Sequence, residues 1–368
     1  MARSQRLAEE AGPTPDAHMI RLKDIAAKAG VSIMTVSKVM RNAKDVSTAT
    51  RVRVHRIASD MGYVPNSMAQ SMRTRSTKLL GLVIPSITNP IFGRVVMAIE
   101  DRSQELGFDV ILALTGNQIE RELNAIHRMV SRRVEGLIIA PVHRMDPVAQ
   151  AYEELVRQSI STVILGQKSP FCAAFPNVES DDQAASQAAT EYLLSLGHRQ
   201  IAFLAGPTSS PQATDRLNGY KRALRDAGID MDDRLVFNAG GTVEEGEAVA
   251  LQMLNERAQF TAIQAVNDLV AIGAANTFLK QGLSIPRDFS LMGFGNSLIS
   301  EHFRVPLTTV RQPKYRLGEA AMELLVRSIR GEHPGSKRLP TELAIRESTG
   351  PAPFCPPFPT LTEGQEEP

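Results

Sequence analysis

Two rhythms of apolar spacing divide this chain. From Ile20 to Gly62, apolar residues fall three or four apart, the period of helices buried along one face. In "LKDIAAKAG" that face is Leu22, Ile25, Ala26 and Ala29. Gly30 then permits a left-handed turn, and Ser32 can cap a second helix running from Ile33 to about Arg41. A third helix, starting near Ser47 or Thr48, is expected to carry Val52, Ile57 and Met61 inward, and Gly62 stops it. A helix, a tight glycine turn and a second short helix make a helix-turn-helix, whose second helix enters the major groove. In that second helix Ile33 and Met34 are adjacent, so at least one must point away from a packed face, while Val36 and Val39 pack the core.

From Leu79 the rhythm becomes strand, helix, strand. Continuous apolar runs lie at 79–84, 108–114, 136–140, 161–165, 200–206, 260–266 and 289–294, with helical periodicity between them, as at 92–107 and 181–197. Such runs alternating with helices predict parallel sheets covered on both faces. Over roughly 270 residues they predict an α/β body of two doubly wound parallel-sheet lobes, preceded by the small all-α domain. Between the two lies "YVPNSMAQSMRTRSTK", where Pro65 bars a continuing helix and Asn66 or Ser67 can cap a short one to Met72. The expected organisation is a disordered tail (1–18), a helix-turn-helix domain (19–62), a short helix and linker (63–78), a two-lobed domain (79–349) and a second disordered tail (350–368).

Charge sharpens this division. The net charge of +1 is unevenly spread: Met19 to Lys78 holds twelve Lys or Arg against three acids, a balance of +9, while 79–368 carries −7. A basic module joined to a mildly acidic body is the electrostatic footprint of nucleic-acid binding. Cys172 and Cys355 are too isolated for a zinc site or a disulfide framework, which fits a reducing compartment. The longest apolar runs are strand-sized and the N-terminus lacks a signal pattern, so no membrane association is expected and a cytoplasmic protein is the simplest reading. The sequence carries no triad signature, no phosphate-binding GxxxxGK[ST] loop and no metal-spaced His cluster, so neither catalysis, a metal nor a cofactor is expected.

Several motifs in order carry a resemblance: "IRLKDIAAKAGVSIMTVSKVMRN", "MGYVPNSMAQSMRTRST", "GLVIPSITNPIF", "RRVEGLIIAP", "LGHRQIAFLAGP", "RLNGYKRAL", "NDLVAIGA" and "PLTTVRQP". Over about residues 20–349 the chain resembles the LacI/GalR family of bacterial transcription repressors. The resemblance implies a helix-turn-helix headpiece, a hinge helix, and a body like a periplasmic sugar-binding protein that also dimerises. It further implies a homodimer on double-stranded operator DNA, associated with the nucleoid when bound and switched by a small, sugar-like effector.

Each candidate residue has a physical reading beside that resemblance. Thr35 and Ser37 can donate to phosphates or base edges, Lys38 can reach a guanine or a phosphate, and Ile33 and Met34 can meet thymine methyls. By resemblance, Ile33 and Met34 choose the operator. Asn42 and Arg51 are expected phosphate anchors, and Asn66 opens the hinge helix. Met72 stands where the family usually carries a minor-groove Leu wedge, a role open to Met. For the effector, the carboxyl ends of parallel strands are the expected binding positions. They supply Ser86, Thr88, Asn89 and Phe92 after the first strand, and Asn267 and Asp268 after another. Arg216 is a ligand contact by resemblance. Asp181 and Asp182 start a helix and are read first as caps, with ligand contact second. Gly295 stands where many relatives have Asp, which removes an expected sugar-hydroxyl acceptor, so either Asn296 substitutes for it or the ligand differs. His198 and Arg199 are read as structural. Two other classes share this architecture: a sugar-binding transport protein, which needs a signal peptide and no basic headpiece, and a sugar or nucleotide enzyme, which needs a catalytic constellation.

Overall fold

The computed structural model describes residues 20–64 and 76–354. The expected hinge helix, with Asn66 and Met72, and both expected tails beyond 354 and before 20 lie outside the described residues. The chain divides into two compact units at Ser76 and Thr77.

The first unit is three helices: α1 (Leu22–Ala29), α2 (Ile33–Met40) and α3 (Thr48–Asp60). Gly30 ends α1 at φ 63°, a conformation that costs glycine nothing. Ser32 caps α2 by accepting the Thr35 N–H at 3.0 Å, and Ser47 caps α3 by accepting the Thr50 N–H at 3.3 Å. Such caps typically stabilise a helix by about 1 kcal/mol each. Ile25, Ala26, Ala29, Val36, Val39, Val54 and Ala58 form the core. One expected inward residue is corrected. Val52 is exposed and Val54 is fully buried, because α3 begins at Thr48 and its inward stripe runs through Val54 and Ala58, with Ile57 and Met61 at its margin.

The second unit has two lobes. The first contains β1 (Leu79–Ile84), α4 (Pro90–Leu106), β2 (Asp109–Leu114), α5 (Ile119–Ser131), β3 (Gly136–Ile139), α6 (Gln150–Arg157), β4 (Ser161–Leu165) and β5 (Asn177–Ser180). The second contains α7 (Asp182–Ser195), β6 (Ile201–Ala205), α8 (Pro211–Asp226), β7 (Val236–Asn238), α9 (Val243–Asn255), β8 (Ala262–Ala265), α10 (Asp268–Lys280), β9 (Ser290–Gly295), α11 (Leu298–His302) and β10 (Thr308–Arg311). The chain then returns to the first lobe as α12 (Lys314–Ile329) and β11 (Lys337–Leu339), and ends in the second with β12 (Glu342–Ala344). The sheet orders are β11-β5-β4-β3-β1-β2 and β12-β10-β9-β8-β6-β7.

All seven strands read from the sequence are present, and their pairings are parallel. The sheets add β5, β7, β10, β11 and β12, and β12 runs antiparallel to β10. The central strands are buried on both faces, which is why they read as unbroken apolar runs. Leu317, Ala321, Leu324 and Leu325 of α12 join Leu80, Leu82 and Ile138 in one core. The chain therefore crosses between lobes near residues 181, 312 and 340.

Candidate functional site

On the first unit, the turn at Gly30 and the Ser32 cap fix the direction of α2. Val36 and Val39 are fully buried, while Ile33 and Met34 are 53% and 67% exposed. Apolar contact does not account for either of the exposed pair, because the core is closed without them. Thr35 is occupied at its hydroxyl by Ser32 at 2.9 Å. Lys38 donates to Asp45 at 2.5 Å, a contact on an exposed surface that holds the Asp45 carboxyl below its ordinary range. Arg51 donates to the Ala43 carbonyl at 2.6 Å, so it ties α3 to the loop after α2, and Asn42 sits in that loop at φ 52°. Ser37 is half-buried on α2, and its carbonyl accepts from Arg41.

On the second unit, a cleft of about 710 Å³ opens between the lobes at the carboxyl ends of the strands. Ser86, Thr88, Asn89, Phe92, Arg216, Asn267 and Asp268 all line it. Most are engaged with their own neighbours. Ser86 and Thr88 share a hydroxyl contact at 2.7 Å, and Asn89 caps α4 through the Ile91 N–H, with Pro90 in its first turn. Asn267 caps α10 through the Val270 N–H and donates to the Gly241 carbonyl. Asp268 is buried and accepts from the Ser297 N–H, the Ser297 hydroxyl and the Thr309 hydroxyl.

Two expectations are corrected. Asn296 does not line the cleft: its backbone is left-handed at φ 52°, its side-chain oxygen accepts from Arg346, and its carbonyl accepts from Lys314. The acceptor missing at Gly295 is instead approached by Asp268, whose carboxylate lies beside the glycine. Gly295 is itself at φ 130°, a conformation L side chains rarely adopt. Asp182 is also not a cap. Asp181 is the cap, accepting the Ala184 N–H, and Asp182 is a buried partner of Arg216. Arg216 donates to Asp182 through Nε (2.9 Å) and Nη2 (2.6 Å) and to the Val266 carbonyl through Nη1 (2.6 Å), and stacks 3.8 Å from the Phe294 ring centre.

Sequence reasoning missed His143, Gln167, Ser180 and Gln312, which also line the cleft. The rule of strand carboxyl ends would have found two of them, because His143 and Gln167 follow β3 and β4, whereas Gln312 follows β10 and Ser180 ends β5, strands not read from the sequence. The loop carrying His143 is anchored from below. Fully buried Glu122 accepts from the Val142 N–H, Arg144 and the Tyr152 hydroxyl, and burial pushes its carboxyl up. His143 itself bonds Ser169 through Nδ1 at 2.9 Å, and burial, with Arg144 beside it, pushes it down to about 4. His198 is a buried structural residue bonded to Thr261, Ser290 and the Gly350 carbonyl.

Comparisons with known proteins match both units. Residues 21–66 match the family model described as bacterial regulatory proteins, lacI family, and residues 77–347 match periplasmic binding proteins and sugar binding domain of LacI family. The regulator DegA of Bacillus subtilis is 33% identical over 89% of this chain and 97% of its own length. The repressor CytR of Escherichia coli is 32% identical over 89% of this chain and 96% of its own. The lac repressor dimer, solved bound to operator and an anti-inducer, superposes with a TM-score of 0.80 at 29% identity, covering 90% of this chain and 99% of that one. The regulator CelR in complex with cellobiose gives 0.69 at 30% identity, covering 89% of this chain and 99% of that one. Among the described residues, no helix is long and apolar enough to cross a membrane.

Proposed function

The chain belongs to the LacI family of bacterial regulatory proteins, and from that premise we propose how its residues divide the family's work. It is a DNA-binding transcriptional regulator whose hold on operator DNA is controlled by a small ligand, and its family binds operators as dimers.

Residues 19–62 serve as the DNA-reading domain, with α2 in the major groove. Ile33 and Met34 meet thymine methyls, Thr35, Ser37 and Lys38 contact base edges or phosphates, and Asn42 and Arg51 set the backbone position. Asn66 and Met72 extend that contact toward the minor groove. The exposure of Ile33 and Met34 beside a closed core carries this reading. The cleft of residues 79–349 receives the effector, a sugar or sugar derivative, against Ser86, Thr88, Asn89, Phe92, Asn267 and Asp268, with Arg216 as a partly committed donor. The protein acts in the cytoplasm and performs no catalysis.

Exchanging Ile33 and Met34 for other apolar pairs tests the DNA reading. Selection from a random-duplex library should return a different preferred operator, with little change in affinity for nonspecific DNA. An equal loss on every sequence would sink the readout role.

A further inference from the structure

The class of effector follows from what the cleft has already neutralised, an inference that rests on the cleft being the effector site. Six titratable groups line it: Glu179, Asp182, Glu245, Asp268, Arg216 and His143. Arg216 is the one guanidinium among the described lining residues, and Asp182 and the Val266 carbonyl already take three of its N–H donors. Glu179 meets Arg338 at 2.7 Å behind the wall. Glu245 accepts the Gly241 and Thr242 N–H groups. His143 is neutral near pH 7. Of the four carboxylates, Asp182 and Glu179 are paired with Arg216 and Arg338, while Glu245 and Asp268 are held by neutral donors, so the lining keeps a negative excess.

The amides tilt the balance further. Gln312 directs its nitrogen at Ser180 Oγ (2.8 Å) and Asp182 Oδ1 (3.3 Å), and Gln167 directs its nitrogen at Asp215. A carboxylate accepts only, so these contacts fix which end of each amide is oxygen. Gln167 Oε1 and Gln312 Oε1 are buried and meet no donor among the described residues. The charged groups of the lining are thus weighted toward carboxylates, and two amide oxygens stand ready to accept. A phosphate or carboxylate entering here would lose its hydration and face an excess of negative charge with no unpaired cation to offset it. Hydroxyl groups can donate to the two amide oxygens and to the carboxylates without bringing a charge.

We propose that this cleft selects an uncharged, hydroxyl-bearing effector and rejects its phosphorylated or carboxylated counterpart, Asp182 being the residue that withdraws Arg216 from anion recognition. Matched sets test it on the intact protein by thermal shift and titration. One set is glucose, glucose 6-phosphate and glucuronate, another is ribose and ribose 5-phosphate, and a third is adenosine and cytidine with their 5′-monophosphates. A neutral member should raise the unfolding midpoint. Its charged counterparts should bind at least about tenfold more weakly, a difference of about 1.4 kcal/mol. Equal or tighter binding by a charged member, or no shift from any neutral member, overturns the proposal. Asp182→Asn should bring the anionic counterpart about tenfold closer to the neutral ligand. Glu179→Gln, whose partner Arg338 is largely exposed, should act in the same direction and decides the matter if Asp182→Asn does not fold. An unchanged ratio in a folded variant removes the charge argument. An anion that alters operator affinity would overturn this inference and leave the regulator intact, whereas a neutral ligand that binds without changing operator affinity would count against the effector reading of the cleft alone.

Discussion

Among single residues, Asp45 departs most from what a DNA-facing surface needs. The described headpiece is strongly basic, yet its one exposed ion pair on α2 ties Lys38 to this acid. An exposed pair of this kind contributes little to stability, because water screens it and two long side chains lose freedom. Its consequence falls on binding: Lys38 must leave Asp45 to reach a phosphate or guanine, and Asp45 repels the backbone if it stays. Asp45→Asn should therefore raise affinity for random-sequence duplex several-fold and steepen the log–log salt slope by about one. Fluorescence anisotropy across a salt series measures both, and an unchanged affinity and slope would show that the pair does not govern DNA contact. At this scale the sequence was legible where periodicity reports burial. Ile33 and Met34 stood out because two neighbours cannot both face inward beside Val36. It was not legible where the backbone sets direction: Asn296 turns away from the cleft because it is left-handed, and nothing in "GFGNS" distinguishes that from an extended residue.

The elements were read from the sequence more completely than the contacts between their ends. Strands buried on both faces announce themselves as apolar runs, whereas β5, β7, β11 and β12 are three- or four-residue pieces too short for a period. The pairing of Asp182 at the start of α7 with Arg216 on α8 was hidden, because it joins residues 34 apart that only the fold brings together. This pairing changes what a variant means. Arg216→Ala removes a ligand contact by resemblance, but it also leaves a buried carboxylate unpaired, a loss of about 3–5 kcal/mol. The unfolding midpoint should fall markedly, and a joint Asp182→Asn, Arg216→Met change should recover much of it. Denaturant titration of the three proteins decides; a stable Arg216→Ala single variant would show that Asp182 finds another partner. The loop after β3 gives a second element-scale expectation. His143 resists protonation in the fold, with its value near 4, while the unfolded chain takes up the proton near 6.5. Protons therefore favour unfolding, so this contribution is present above about pH 6.5 and is lost as pH falls toward 4, amounting to at most about 3 kcal/mol. His143→Gln should flatten that part of the pH–stability curve, and a curve that stays as steep would place the titration elsewhere.

For the whole molecule, the two units have separate cores, and the proposed function gives each of them one half of the work. Control then requires a coupling free energy between effector and operator, and such coupling is reciprocal. Typical values of about 1–3 kcal/mol correspond to affinity changes of about 5- to 150-fold. If the effector weakens operator binding by some factor, operator duplex must weaken effector binding in the intact protein by the same factor. The piece spanning 77–368 retains every strand of both sheets and the whole cleft lining, so it should fold and bind effector with the affinity of the intact, DNA-free protein. Adding operator duplex should leave that affinity unchanged, and the piece should show no sequence-specific DNA binding. Calorimetric titration of effector into both proteins, with and without duplex, measures all four affinities. Reciprocal factors in the intact protein and none in the piece would place DNA recognition in the first unit and ligand recognition in the second. Operator binding that survives removal of residues 1–76 would instead put the DNA contact in the body and refute the assignment of α2.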